Sequence, residues 1–143
     1  MPTLPWTIPN PAPADTLACA MASRFEVRSA KDVPRFFLKS LAAWRQVKSA
    51  PGCVGASLIA KPLRRTFYTL SAWENRDALY AFARSQPHRD IMTSLRPTMR
   101  SSVFTFWDVP TGQLPLSWDD AQRRIAEQAQ ADGARISNEP RQT

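Results

Sequence analysis

The chain has 143 residues and a hydrophobic fraction of 43%, enough for one domain with a real core and too little for two ordinary ones. Its formal net charge is +7, yet only Lys61, Arg64 and Arg65 cluster tightly, so nucleic-acid binding is not expected. No apolar run approaches the roughly 18 to 20 residues needed to cross a bilayer. The start carries neither the basic segment nor the unbroken apolar segment of a secretory signal, and Cys19 and Cys53 lack zinc-ligand spacing. These features predict a cytoplasmic protein with no membrane insertion, no metal site and reduced, buried, structural thiols.

Residues 1–15 hold Pro2, Pro5, Pro9, Pro11 and Pro13, which remove backbone donors and favour extended conformations. They read as an N-terminal arm. Trp6 and Ile8 are its apolar exceptions and would gain by docking, on the same chain or on a partner. From Leu17 to Val27 the chain alternates, with Leu17, Cys19, Met21, Ser23, Phe25 and Val27 on one side and Ala18, Ala20 and Ala22 on the other. This predicts a first core strand whose alanine side lets helices approach closely, leaving the larger side chains to line the opposite face. Ser29-Ala30-Lys31-Asp32 matches a capping box, and a long helix follows with Val33, Phe36, Phe37, Leu41, Trp44 and Val47 on its apolar face, ending before Pro51-Gly52.

Cys53 to Ala60 reads as a second core strand, Lys61-Pro62-Leu63-Arg64 as a turn, and Thr66 to Trp73 as a third strand rich in β-branched and aromatic residues. Period two sets Phe67, Thr69, Ser71 and Trp73 on one face and Tyr68, Leu70 and Ala72 on the other. After Trp73 the period becomes helical, with Asn75 placed to cap a short helix through Ala78, Leu79, Phe82 and Ala83. Ser85 and Pro87 mark a break and a fresh helix start. His88, Ile91, Met92, Leu95 and Met99 then fall on one stripe. Ser101 to Val109 is a fourth core strand ended by Pro110, residues 111–116 are a linker, and Ser117 caps a weakly amphipathic helix from about Trp118 to Ala131 that packs loosely or across a dimer. From Gly133 the polar, unpatterned composition predicts disorder.

The domain organisation is thus an arm over 1–15, an α+β domain over 16–110, a linker and C-terminal helix over 111–132, and a disordered tail over 133–143. The order β, α, β, β, α, β is the ferredoxin-like pattern. Both helices of such a domain lie on one side of the sheet, so the other side, apolar here, asks for a partner surface. No Gly-rich phosphate loop, GxSxG elbow or Cys-His-Asp set is present, so common nucleotide, hydrolase and thiol-protease mechanisms lack their parts. What remains is an apolar, aromatic cavity with few polar groups, suited to a planar aromatic or polyketide-like molecule. His88 lies in a helix's first turn on an inward stripe, where the dipole and burial both favour the neutral imidazole. Such a group accepts a proton, donates a hydrogen bond or ligates a metal or haem iron; a lone histidine on an apolar stripe is also a common packing residue.

Leu70-Ser71-Ala72-Trp73-Glu74, then Ala78-Leu79 and Phe82, then Ser85-Gln86-Pro87-His88-Arg89 resemble the antibiotic-biosynthesis-monooxygenase-like families of the dimeric α+β barrel superfamily; the spheroidene-monooxygenase-like haem proteins look similar in the same place. The resemblance covers roughly residues 17–109. It implies a homodimeric α+β barrel and a monooxygenase that deprotonates an electron-rich phenol or anthrone-like substrate, whose carbanion passes an electron to oxygen without metal or flavin. In that reading His88 is the base and Trp73 shapes the site, and Phe67, Tyr68, Thr69, Ser71, Arg64, Arg89 and Met92 contact substrate. Three alternatives stay open: haem-dependent chemistry with His88 as axial ligand, a cofactor-independent cyclase or isomerase, and a non-enzymatic binding or scaffold protein.

Overall fold

A computed structural model describes residues 3–138. Its strands are β1 (Thr3–Thr7), β2 (Leu17–Val27), β3 (Cys53–Lys61), β4 (Thr66–Trp73) and β5 (Met99–Pro110), and its helices are α1 (Val33–Val47), α2 (Arg76–Arg84), α3 (His88–Leu95) and α4 (Trp118–Asn138). The strands form one antiparallel sheet in the order β1-β3-β4-β2-β5. Leaving β1 aside, the chain runs β2-α1-β3-β4-α2/α3-β5, the ferredoxin-like arrangement that the element order predicts. The second crossover is split in two at Ser85–Pro87, where proline starts a new helix rather than continuing the old one.

Local signals explain most boundaries. The Asn75 side chain accepts the Ala78 N–H at 2.8 Å and caps α2, and Ser117 Oγ accepts the Asp120 N–H at 3.4 Å at the start of α4. Ser29 is a correction. It makes no side-chain cap bond, because a 3-10 turn over Ala30–Asp32 comes between it and α1, which starts at Val33. Cys19 and Cys53 are free and buried, and burial pushes the Cys53 thiol up to about 11. Among the described residues no helix is long and apolar enough to cross a membrane.

Both terminal segments depart from the sequence reading. The arm is a fifth strand: β1 pairs with β3, and Asn10 Nδ2 donates to the Ala50 and Cys53 carbonyls at 2.9 and 3.0 Å. Trp6 is the reason Gly55 is glycine, since a Cβ built there would stand 1.8 Å from the indole ring. At the other end α4 lies on its own sheet. Ala121 and Ile125 are buried against Ala22, Leu70 and Val103, and the Trp118 indole donates to Ser57 Oγ at 3.0 Å, which donates in turn to the Leu4 carbonyl at 2.8 Å. Of the β2 alanines on this face, Ala22 packs against the helix, while Ala18 and Ala20 pack with Trp6, Leu114 and Leu116, and their small side chains allow close approach. The face expected to be bare is therefore covered from within the chain, and the fold does not demand a second copy there. The helix also continues past Gly133 to Asn138, because one glycine costs an exposed helix about 1 kcal/mol and does not stop it. The remaining tail, 139–143, lies outside the described residues, as do residues 1–2 of the arm.

Candidate active site

A cavity of about 380 Å³ opens between the sheet and the layer of α1, α2 and α3. Its floor is the inward side of β4, where Phe67, Thr69, Ser71 and Trp73 alternate, flanked by Met21, Ser23 and Phe25 of β2. Phe36 and Trp44 of α1, Phe82 of α2 and His88 and Met92 of α3 close the sides. The mouth faces β5, whose Phe104 and Phe106 line it while remaining 40% and 39% exposed. The lining contains no carboxylate, and Arg96 is its one guanidinium. Outside that lining, Arg76 sits over the Phe106 ring at 5.6 Å.

His88 is held from three directions. Its backbone N–H donates to Gln46 Oε1 at 2.7 Å, its ring packs on Phe82 with centroids 4.7 Å apart, and Nδ1 lies 3.1 Å from the Ala83 carbonyl oxygen. A carbonyl can only accept, so in the neutral imidazole Nδ1 carries the proton and Nε2 keeps the lone pair. Nε2 has no hydrogen-bond partner among the described residues. Burial lowers the pKa of His88 below its ordinary 6.5, and the Ala83 carbonyl opposes this more weakly. The side chain is thus a neutral, oriented imidazole at the cavity wall. The same free nitrogen is what an axial haem ligand requires, so the residues present fit that group at this one point. Among the described residues no cluster of three or more His, Cys, Asp or Glu side chains could hold a metal ion.

The other polar groups are few. The Trp73 indole N–H is already donated to Ser71 Oγ at 2.9 Å, so Trp73 shapes the floor and aligns Ser71, whose own O–H proton stays available. Phe82 bridges Trp73 to the imidazole, with Trp73 and Phe82 centroids 5.1 Å apart. Ser23 and Thr69 share a hydrogen bond across neighbouring strands.

Of the residues singled out from sequence, the fold brings His88, Trp73, Phe67, Thr69, Ser71 and Met92 together around one cavity. Three lie elsewhere. Tyr68 points to the opposite face of the sheet, under Lys61, whose Nζ is 5.3 Å from its ring, as period two requires. Arg64 is exposed in the turn between β3 and β4, and Arg89 is exposed on α3. Arg24 of β2 is on the α4 side of the sheet, 3.5 Å from Glu26. Sequence reasoning missed Gln46, Ser23, Arg96 and the two mouth phenylalanines. Ser23 had a signal, a hydroxyl on the large-residue side of an alternating strand. Gln46 had none, because its role depends on how α1 meets α3.

This fold, with a cavity under the helical layer and a lone oriented imidazole in it, defines a ferredoxin-like α+β protein with the architecture of antibiotic-biosynthesis-monooxygenase-like structures. An antibiotic biosynthesis monooxygenase superposes with a TM-score of 0.58 at 11% identity, over 64% of this chain and 97% of that one. SnoaB, a cofactor-independent oxygenase from Streptomyces nogalater, superposes with a TM-score of 0.56 at 19% identity, over 72% of this chain and 100% of that one. A conserved protein from Methanosarcina mazei Go1 gives 0.58 at 15%, over 64% and 92%. At these identities the likeness is one of fold. No curated protein matches the sequence. The chain belongs to the family described as Domain of unknown function (DUF3291), whose profile matches residues 27–136.

Proposed function

We propose that this chain is a cofactor-independent monooxygenase acting on a planar aromatic or polyketide-like substrate, with His88 as its general base. The observation that carries the reading is the imidazole: its proton is fixed on Nδ1 by the Ala83 carbonyl, its basic Nε2 is unpartnered, and the cavity around it is apolar and aromatic. Trp73, Phe67 and Met92 would hold the rings by contact, while Ser71 and Thr69 orient polar substituents. Nε2 takes a proton from an activated C–H, and the carbanion passes one electron to oxygen. The substrate radical and superoxide then combine to a hydroperoxide, whose loss of water leaves a ketone. One oxygen atom ends in the ketone and the other in water. SnoaB, described as a cofactor-independent oxygenase on the same fold, supports the reading. We include a cytoplasmic location, to which two free buried thiols are suited.

A second reading uses the same nitrogen. Through Nε2, His88 would hold haem, which when bound supplies oxygen-activating iron, and Arg96 would offer a cation to its carboxylates.

Oxygen uptake with anthrone as the probe tests the first reading. Wild type is expected to consume one oxygen per ketone formed, and His88→Gln to lose roughly 10² to 10⁴ of that rate, the usual contribution of a general base. Uptake unaffected by His88→Gln, or none above the buffer rate, overturns it. Conversion that proceeds anaerobically makes the protein a cyclase or isomerase, a His88-dependent Soret band on haem titration establishes the second reading, and a probe that binds without reacting points to a binding or scaffold protein.

A further inference from the structure

The two ends of the sheet differ in charge. At one end β3 turns into β4 through Pro62–Arg64, and the neighbouring ends of β2 and β5 are tied to that turn. The Val27 N–H donates to the Arg65 carbonyl at 2.8 Å and the Arg28 N–H to the Thr98 carbonyl at 2.9 Å. Side chains repeat the link, since Arg65 Nη1 donates to the Arg28 carbonyl at 3.3 Å and Arg28 Nε to the Met99 carbonyl at 2.8 Å. These contacts gather Arg28, Lys61, Arg64, Arg65, Arg96 and Arg100, of which all but the half-buried Lys61 are exposed. None of them forms a salt bridge among the described residues. The carboxylates nearest to Arg28 along the chain are Glu26, 3.5 Å from Arg24, and Asp32, which follows Lys31 at the start of α1. The opposite end, where β3 begins and β4 and β5 finish, carries Asp15, Glu74, Asp77 and Asp108 beside Lys48 and Arg76.

Cations gathered without counter-charges repel one another, and together they make a field that attracts a polyanion. Arg65 adds a second cost, a left-handed backbone (φ 54°) that L side chains rarely adopt. At the apex of the turn Leu63 is 100% exposed, the most exposed large hydrophobic side chain among the described residues. An apolar apex ringed by cations matches a surface that has anionic groups above hydrocarbon. Nucleic acid asks instead for an aromatic ring to stack on or an element to enter a groove, and the segments 26–32, 61–66 and 96–102 hold no aromatic residue. We propose that this end of the sheet docks on an anionic lipid surface, with Leu63 in the headgroup layer and the surrounding cations on the lipid anions. The chain then lies on the bilayer without spanning it. Arg96 belongs both to this end and to the cavity lining, so docking sets the cavity beside the bilayer, into which apolar ligands partition. Docking of this kind does not depend on the reaction proposed at His88.

Flotation of the full chain with vesicles tests this, using phosphatidylcholine alone and phosphatidylcholine with about 30% phosphatidylserine. Wild type is expected to float with the phosphatidylserine vesicles at about 50 mM salt and to be released at about 500 mM. It should not float with phosphatidylcholine alone. Arg64→Glu should lower the partition coefficient roughly tenfold or more, since each elementary charge near such a surface is worth about fivefold. Lys48→Glu, an equal change of charge at the opposite end, lies beyond the screening length and should change it less than about twofold. Leu63→Ser leaves the charge untouched and should lower it about fivefold. Because the three positions are exposed, unchanged circular dichroism and unfolding midpoints will show that the variants fold. A wild type that ignores phosphatidylserine vesicles at low salt, equal losses in Arg64→Glu and Lys48→Glu, or a partition indifferent to Leu63→Ser overturns the proposal. So does a duplex DNA or single-stranded RNA probe that binds more tightly than the vesicles and is lost in Arg64→Glu but not in Leu63→Ser, which would make this end a nucleic-acid surface.

Discussion

The sheet has two faces made by the same strands, and they were finished in opposite ways. On one, Ala18, Ala20, Ala22 and Ala72 let α4 and Trp6 press close, and Ala121 and Ile125 are left with essentially no exposed surface. On the other, Phe25, Phe67 and Trp73 hold the helical layer away, and a cavity of about 380 Å³ remains. Small residues closed one face and large ones opened the other. Bulk on a sheet does not by itself fill space; it props the facing layer apart when the helices above are short and broken, as α2 and α3 are.

The sharpest separation of the two faces is chemical. His88→Gln should remove roughly 10² to 10⁴ of the turnover rate while leaving the unfolding midpoint nearly unchanged, because the ring lies at a cavity wall rather than in a filled core. Steady-state kinetics beside a thermal melt will show it, and a large loss of stability with activity intact would break the contrast.

The next effect belongs to the filled face. Ile125→Ala should cost about 2 to 5 kcal/mol, the range for deleting a buried aliphatic side chain, whereas Met92→Ala, half-buried beside existing free volume, should cost well under half as much. Denaturant unfolding of the two variants decides, and equal losses would mean that the faces are packed alike. Gly55→Ala should destabilise by about 1 to 3 kcal/mol as an overpacking change, because its new methyl meets the Trp6 ring. In a Trp6→Ala background the same change should cost almost nothing, a non-additivity that a double-mutant cycle measures directly.

The smallest effect is that of pH. The folded-state pKa of His88 is depressed below 6.5, so between the folded value and 6.5 the unfolded chain binds more protons. Stability contributed by the neutral ring is complete above 6.5 and is lost as pH falls below it, by at most about 1.4 kcal/mol per pH unit. His88→Gln should flatten that part of the profile. A wild-type profile identical to that of the variant would show that the ring is not buried as described.

Much of the cavity could be read from alternation alone. Once Thr66–Trp73 is a strand, Phe67, Thr69, Ser71 and Trp73 must share a face, and Tyr68 must not; assigning Tyr68 to the site contradicted that parity. Arg64 and Arg89 were drawn in by charge, a property that says nothing about which way a turn or helix surface points. Gln46 and Arg96 were invisible because their places come from the meeting of α1 with α3 and from the turn after α3, which brings Arg96 into the cavity lining.

What the chain determined locally is the succession of elements, the split of the second crossover at Pro87, the caps at Asn75 and Ser117, and the alanine and aromatic sides of β2 and β4. Steric and hydrogen-bonding preferences over a few residues suffice for these. The tertiary structure alone decided that the proline-rich arm becomes an edge strand, that α4 occupies the face a partner was expected to cover, and that the Ala83 carbonyl leaves Nε2 of His88 free. Each of these rests on contacts between segments far apart in the chain, where burial of apolar surface outweighs weak local propensity.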